Sequence, residues 1–521
     1  MRQLTESDPL TQPSDDEKRM LYKYRHSLKH KPEALPKLML AIDWMDPDQI
    51  REGRRMLKQW APLSPTQALD LLDARYADLE VRKYAVKCLE GLSDTELELY
   101  MPQLIQTLKY DPYHDSALSG FIMKRALRNP SYIGHLFFWS LKAEVHIVEI
   151  RERYSLLIDE FLRGCGLYRK QLTQQHWVVT KLEYAALRLK KVKAHEERLA
   201  VLHRDLEALN KELPREFELP LDPKLKLRRL RVEKCRYMDS KKLPLWLVFE
   251  NADPLGEDYY VIFKEGDDLR QDVLTLQMIR IMDRLWQAEG LDLKLSPYGC
   301  IATGDELGLL EVVVNSDTMA NISKAAGGVK AEILDSSVFT VWLREYNQTQ
   351  EEFTAAVHRF VLSTAGYCVA TYILGIGDRH NDNVMLKQDG CCFHIDFGHF
   401  LGNFKSKYGY KREKAPFVFT NQYAHVMGGV QDPQYDRFVD VCCHTYNTVR
   451  KHGHLLLALF TLMLSTGIPE LRELEDIHYL RDMMSLEATD EEATAKMELT
   501  IEECRNSKRT KLNGVVHIMA H

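Results

Sequence analysis

The sequence predicts an α+β chain, in which an all-α array precedes a strand-rich lobe and a larger helical lobe. Three observations carry that prediction. Apolar residues recur at helical spacing from Glu17 to about Asn210. Composition shifts near Leu213-Pro214, and Pro220, Pro223 and Pro244 then punctuate short extended runs. From Glu351 onward the pattern is again helical, interrupted by one hairpin signal. At 521 residues there is room for two to four domains. Hydrophobic content of 45% and charged content of 28% are those of an ordinary soluble globular chain.

Residues 1–16 are polar and read as a mobile lead-in. Across 17–212, Ala68, Leu71 and Leu72, like Met101, Leu104 and Ile105, fall at i, i+3, i+4. Breaks at Asp46-Pro47, Ser64-Pro65, Asp111-Pro112 and Asn129-Pro130 separate segments of helical length. Serial helices joined by short loops predict a stacked solenoid, although no strict repeat recurs. Leu172 to Leu213 reads as one long scaffold helix, since its apolar spacing is too irregular for a coiled coil. Extended segments follow at 227–232, 245–250 and 259–264, then a helix at 272–287. The strand-rich lobe is expected over about 213–313 and the helical lobe over 314–521.

Composition excludes several classes. A net charge of −6 argues against wholesale nucleic-acid binding. The ten cysteines form no CxxC pair, so neither zinc site nor disulfide framework is indicated, and reduced cytosolic thiols are expected. The first eighteen residues lack the apolar core of a signal peptide. The longest nearly apolar run, Leu455 to Leu464, is too short to span a bilayer. Membrane contact is therefore expected to be peripheral.

The chemistry concentrates in Gly375 to Thr420. Asp378 precedes Asn383 by five positions, and Asp396-Phe397-Gly398 follows thirteen later. That is the spacing of a kinase catalytic loop and its DFG aspartate. Asn383 and Asp396 supply one neutral and one charged oxygen for the Mg²⁺ that bridges ATP phosphates. Two extended runs flank Gln388-Asp389-Gly390, a tight-turn signal that would bring these two residues together. The implied architecture is a bilobal, protein-kinase-like catalytic domain with ATP in its cleft. Lys264, ending Val261-Ile262-Phe263, is placed to hold ATP phosphates, with Asp268 or Asp272 as its ionic partner. No G-x-G-x-x-G loop occurs in the small lobe; Ser240 and Lys242 offer a phosphate cover instead. Leu309 to Val313, an apolar strand carrying Glu311, reads as a link between lobes. His380 and His399 are both placed to act as the base for an acceptor hydroxyl.

Residues 402–414 carry Lys405, Lys407, Lys411, Arg412 and Lys414 against Glu413, five cations less one acid, a net +4 in a net-acidic chain. A peptide acceptor does not need such a loop. A lipid headgroup bearing several phosphates does, and an anionic membrane adds about 1 kcal/mol per nearby cation.

These residues resemble the class I phosphoinositide 3-kinase catalytic subunits. The most specific parts are the stretches 263–272, 374–383 and 394–399, with 78–88 and 111–116 similar in the helical half. The resemblance implies a helical (PIK-type) domain and a PI3/PI4-kinase-like domain that phosphorylates the inositol 3-position of phosphatidylinositol 4,5-bisphosphate. It implies that Lys264 contacts the α-phosphate and that Ser240 and Lys242 form the phosphate loop. Glu311 and Val313 would be the hinge, and Trp246, Ile262, Tyr298, Met385 and Ile395 would line the adenine pocket. The loop from Asp396 to about Thr420 would bind the inositol phosphates. Leu243 departs from a basic residue in many relatives, and Gly514 from a membrane-docking aromatic. Asp15-Asp16-Glu17 matches an acidic patch that meets an SH2-containing regulatory subunit in some relatives, and serves equally as a first helical turn. Small-GTPase binding is not expected from these domains. Recruitment from the cytoplasm to the plasma membrane is.

Overall fold

The computed structural model describes residues 7–328, 335–377, 379–403 and 415–506, with the backbone of 406, 407, 410 and 411. Two compact units form. The first is Met1–Val273 with Gly299–Val312 and His454–Gly467; the second is Leu274–Tyr298, Val313–Gly453 and Ile468–His521.

Helices fill the first unit as far as Glu212, and their starts follow local chemistry. Ser14, Ser64, Ser93 and Ser116 each accept from the third helical N–H and receive a reciprocal bond, which satisfies donors a helix start leaves unpaired. Pro47 and Pro65, read as breaks, occupy the first helical position, where a missing N–H costs nothing. Ala68, Leu71, Leu72, Met101, Leu104 and Ile105 are all buried. The expected lead-in differs: Pro9 and Leu10 are buried, and Lys37 Nζ donates to the carbonyls of Asp8 (2.7 Å) and Thr11 (2.5 Å). The first described helix starts at Asp15.

The long scaffold helix is also corrected. Two helices, Tyr168–Lys191 and His195–Glu212, meet at Val192, whose backbone is extended (φ −80°, ψ 112°). Arg188 with Asp205 (2.8 Å) and Lys181 with Glu212 (2.7 Å) show them packed antiparallel. Folding back buries Leu182 and Leu189 together with Leu202 and Leu206, whereas one straight helix would leave both apolar stripes in water.

Seven strands form one antiparallel sheet in this unit: β1 (Phe217–Leu219), β2 (Asp222–Leu230), β3 (Arg236–Tyr237), β4 (Leu245–Asn251), β5 (Tyr259–Glu265), β6 (Cys300–Gly304) and β7 (Leu307–Glu311). Their order is β1-β2-β4-β5-β7-β6, with β3 on β4. Leu245, Leu247, Phe249, Val261, Phe263 and Leu309 alternate onto one fully buried face. Helices and sheet are joined by polar contacts. His135 Nε2 lies 2.7 Å from the Pro220 carbonyl, and Asn210 exchanges two hydrogen bonds with the Leu230 backbone.

The second unit is built around helix Gln350–Leu374, buried on nearly every side from Phe360 onward and capped reciprocally by Thr349 and Glu352. Against it packs a three-stranded antiparallel sheet of β8 (Ser316–Thr318), β9 (Val384–Lys387) and β10 (Cys392–His394), in the order β10-β9-β8. The expected hairpin is thus present and carries a further strand. Gly390 closes its turn at φ +98°, and a Cβ there would lie 2.2 Å from the Ala356 carbonyl oxygen. Only glycine fits. No helix among the described residues is long and apolar enough to cross a membrane.

Candidate active site

The sheet of the first unit presents Lys264 for a register reason. Trp246, Ile262 and Leu310 are cross-strand partners on β4, β5 and β7, so they share a face, and Lys264 lies two residues further along it. Trp246, Ile262 and Lys264 remain part-exposed on that face. The expected pairing of Lys264 with Asp268 is not formed. The Arg270 guanidinium grips Asp268 instead (2.7 and 2.9 Å), and the carboxylate also caps the Arg270 N–H. Burial pushes the Asp268 carboxyl up, and the Arg270 hydrogen bonds outweigh it, so the net displacement is downward. Asp272 is buried in the first turn of helix Arg270–Ala288.

The turn after Lys264 is held from three sides. Gly266 (φ +86°) and Asp267 donate to the Glu306 carbonyl at 2.7 and 3.2 Å. Lys242 Nζ donates to the Gly266 carbonyl. Lys190, from the end of helix Tyr168–Lys191, donates to the Glu265 carbonyl (2.6 Å) and pairs with its carboxylate. Ser240 is exposed at the start of a turn closed by Leu243 N–H, while Leu243 is buried and left-handed (φ +52°), so it offers no charge. Glu311 accepts from Gly299 N–H through its carboxylate (2.7 Å) and donates its own N–H to the Gly299 carbonyl (2.8 Å). One of the points where the chain passes from one unit to the other falls between Val312 and Val313.

In the second unit the candidate catalytic loop and the Asp396-Phe397-Gly398 segment run side by side. Gly375 ends its helix in a left-handed cap, and Gly402 N–H donates to its carbonyl (3.1 Å). Gly377 N–H donates to the His399 carbonyl (3.0 Å), and Ile395 N–H to the Asn383 carbonyl (3.0 Å). That last bond continues the β9–β10 ladder and sets Asn383 beside the residue preceding Asp396. Asn383 is buried; Asp396 is exposed, with φ +59°.

The sequence reading missed Arg379, which organises this region. Its guanidinium donates to the carbonyls of Gly377 (3.0 Å), Ile395 (2.8 Å) and Asp396, and lies over the Phe397 ring (5.7 Å). An arginine between two candidate catalytic residues was the available signal, because five fixed donors suit converging carbonyls. His380 Nε2 lies 3.3 Å from the Asn383 amide. His399 Nδ1 lies 2.6 Å from Glu470 Oε1.

Met385 and Ile395 are part-exposed at the hairpin. Tyr298 is buried, and its carbonyl accepts from Arg280 (2.6 Å). The Val313 carbonyl accepts from the Ser316 hydroxyl (2.7 Å). Asp378, Lys405, Arg412, Lys414 and Gly514 lie outside the described residues. Of Lys407 and Lys411 only the backbone is described: Ser406–Lys407 pairs antiparallel with Tyr410–Lys411. Among the described residues no group of three or more His, Cys, Asp and Glu gathers as a metal site. Magnesium that takes one carboxylate, one amide oxygen, phosphate oxygens and water does not require one, so the donor set fits.

Comparison with known proteins agrees with both halves. Residues 1–174 match the phosphoinositide 3-kinase family accessory domain (PIK domain), and residues 258–473 match phosphatidylinositol 3- and 4-kinase. Phosphatidylinositol 3-kinase 2 of Dictyostelium discoideum is 51% identical across 100% of this chain and 28% of its own length. Phosphatidylinositol 3-kinases 1 and 3 of the same organism are 47% and 45% identical, each across 100% of this chain, and 33% and 31% of their lengths. The chain thus spans about a third of the curated relatives it matches. With an accessory domain followed by a kinase domain, and similarity to these proteins along the whole of its own length, the chain belongs to the phosphoinositide 3-kinase family.

Proposed function

We propose that this chain is the catalytic part of a lipid kinase that transfers the γ-phosphoryl group of ATP to the inositol 3-hydroxyl of a phosphoinositide, with phosphatidylinositol 4,5-bisphosphate preferred. One observation carries the phosphoryl-transfer reading. The Asn383 and Asp396 segments, thirteen residues apart, are bound together by the β9–β10 ladder and by Arg379. Phosphoryl transfer asks for positioning and charge neutralisation more than covalent chemistry. Mg²⁺ bound by Asn383 and Asp396 supplies neutralisation of phosphate charge. Lys264 binds phosphate from the strand face, and Lys242 leaves the Gly266 carbonyl to cover it, with Ser240. Adenine stacks on apolar side chains of the Trp246 and Ile262 type. His380 or His399 accepts the hydroxyl proton while Asp378 opens the catalytic loop.

The +4 loop supports the headgroup preference, with Lys405, Lys407, Lys411, Arg412 and Lys414 drawing the anionic substrate. It also supports peripheral binding to an anionic membrane from the cytoplasm. Asp15 and Asp16, largely exposed in a first helical turn, suit a basic pocket on a regulatory partner of the SH2 type. The deciding measurement compares transfer from labelled ATP to vesicles holding unphosphorylated, mono- and bisphosphorylated inositol lipids, and to peptides. Fastest labelling of the bisphosphate at the 3-position is expected. Peptide product without lipid product would sink the lipid reading, and equal rates on all three lipids would sink the headgroup preference.

A further inference from the structure

Glu470 reaches His399 from 71 positions downstream, and both of its oxygens are engaged there. Oε1 lies 2.6 Å from His399 Nδ1, and Oε2 accepts the Phe400 N–H at 2.7 Å. The carboxylate is itself held in place. Ile468 and Leu471, on either side, are fully buried, and Leu471 N–H donates to the Ile468 carbonyl (3.0 Å). The histidine backbone is fixed as well, because its carbonyl accepts from Gly377 N–H. Both side chains are largely shielded, His399 at 31% exposure and Glu470 at 15%.

A carboxylate can only accept, so this contact requires the proton of the neutral imidazole on Nδ1. Nε2 then carries the lone pair. A nearby carboxylate also stabilises the imidazolium that forms when Nε2 takes a proton. A base oriented by an acid in this way is the general pattern for activating a hydroxyl. His380 is arranged differently, its Nε2 lying against the amide of Asn383, the residue assigned to magnesium.

We propose that Glu470 is a positioning residue that holds His399 in the Nδ1–H tautomer and so reserves Nε2 to accept the proton of the inositol hydroxyl. This rests on the lipid-kinase reading above. In the step, the hydroxyl O–H bond breaks and its proton passes to the Nε2 lone pair. The freed oxygen bonds to the γ-phosphorus as the bridging P–O bond to ADP breaks. The imidazolium, paired with Glu470, then returns its proton to water.

Glu470→Gln keeps the shape and removes the double acceptor. The two donors meet separate oxygens of Glu470, so in the same pose the glutamine NH₂ must face one of them or drive His399 to the opposite tautomer. Two readouts apply to the full chain. Ring ¹⁵N spectra of histidine-labelled protein, with the His399 signal identified by its loss in His399→Gln, should show Nδ1–H in the native protein and lose that pattern in Glu470→Gln. Lipid turnover should fall roughly 100-fold in Glu470→Gln, the lower end of the range general-base assistance supplies. KM for ATP and for lipid should stay within about twofold, since a base acts on the transfer step and not on ground-state binding. Glu470→Asp, which retains the charge, should recover at least part of that loss. A native Nε2–H tautomer would overturn the proposal, as would Glu470→Gln turnover within about threefold of native in a protein of unchanged thermal unfolding. Native protein that makes no lipid product would defeat the activity reading and the proton-acceptor role, while the spectra still decide whether Glu470 sets the tautomer.

Discussion

Asp396 adopts a left-handed backbone, a conformation that costs a non-glycine residue about 1 kcal/mol or more and is sustained only where its surroundings fix it. Arg379 does the fixing, with hydrogen bonds to the Ile395 and Asp396 carbonyls while it also binds Gly377. A lysine has a single ammonium and cannot span three carbonyls in one plane. Arg379→Lys should therefore lose about 1–3 kcal/mol of stability, the usual worth of charged hydrogen bonds. Turnover should drop roughly 10- to 100-fold, because small displacements of catalytic groups are costly. Steady-state kinetics with a thermal melt checks this, and turnover within threefold of native would remove Arg379 from its assigned role. His135 permits a different prediction. Burial pushes its pKa down to about 4, from an ordinary value near 6.5. Between those values the unfolded chain binds the proton and the folded chain does not, so this group's contribution is full above about 6.5 and is lost as pH falls toward 4. Asp70 and Asp283, both raised to about 6, act in the opposite sense over part of that window. The expectation is accordingly a difference: urea titrations of His135→Gln should lose less stability than native protein between pH 6.5 and 4.5. A parallel pair of curves would show that His135 is not the group responsible.

Elements here are placed by a few polar contacts at their ends as well as by apolar faces. Helix Tyr168–Lys191 packs its leucines inward, yet its last turn sends Lys190 to Glu265, the residue next to Lys264. The pair is part-buried, 26% and 20% exposed, and hydrogen-bonds the backbone as well, so it exceeds an ordinary surface ion pair. Lys190→Ala should raise KM for ATP about three- to tenfold with little change in lipid KM, and Lys190→Arg should restore most of it. ATP titrations of both variants check this. Equal ATP affinity in Lys190→Ala would mean the helix supports the strand without setting the lysine. The β9–β10 hairpin was readable from its Asp-Gly turn and alternating runs, because a short glycine-containing turn is specified locally. β8 was not, since Ser-Asp-Thr is too short and polar to announce a strand and pairs only because β9 offers an edge.

The helical array and the seven-stranded sheet fall within one compact unit, and the composition change near Leu213 lies inside it. Side-chain bonds between helix and strand account for this: His135 to Pro220, His203 to Cys235 and Asn210 to Leu230 all cross the compositional boundary. Across the whole molecule the net charge is −6, so the +4 of residues 402–414 is a local field. Reversing Lys411 and Arg412 to Glu should weaken binding to vesicles containing phosphatidylinositol 4,5-bisphosphate at least tenfold, on about 1 kcal/mol per cation near an anionic surface. The loss should shrink as salt rises, because screening removes the same attraction. Co-sedimentation across a salt series reads both, and unchanged partitioning would show that another surface meets the lipid. Element types, the Asp378–Asn383–Asp396 spacing and the local charge were legible in the chain because periodicity, turn chemistry and motif spacing act within about a dozen residues. The fold alone settled which groups meet: Arg270 taking Asp268 from Lys264, Lys190 on Glu265, Glu470 on His399. The last two pairs join residues more than seventy positions apart, and no local pattern encodes a contact made only when packing brings distant segments together.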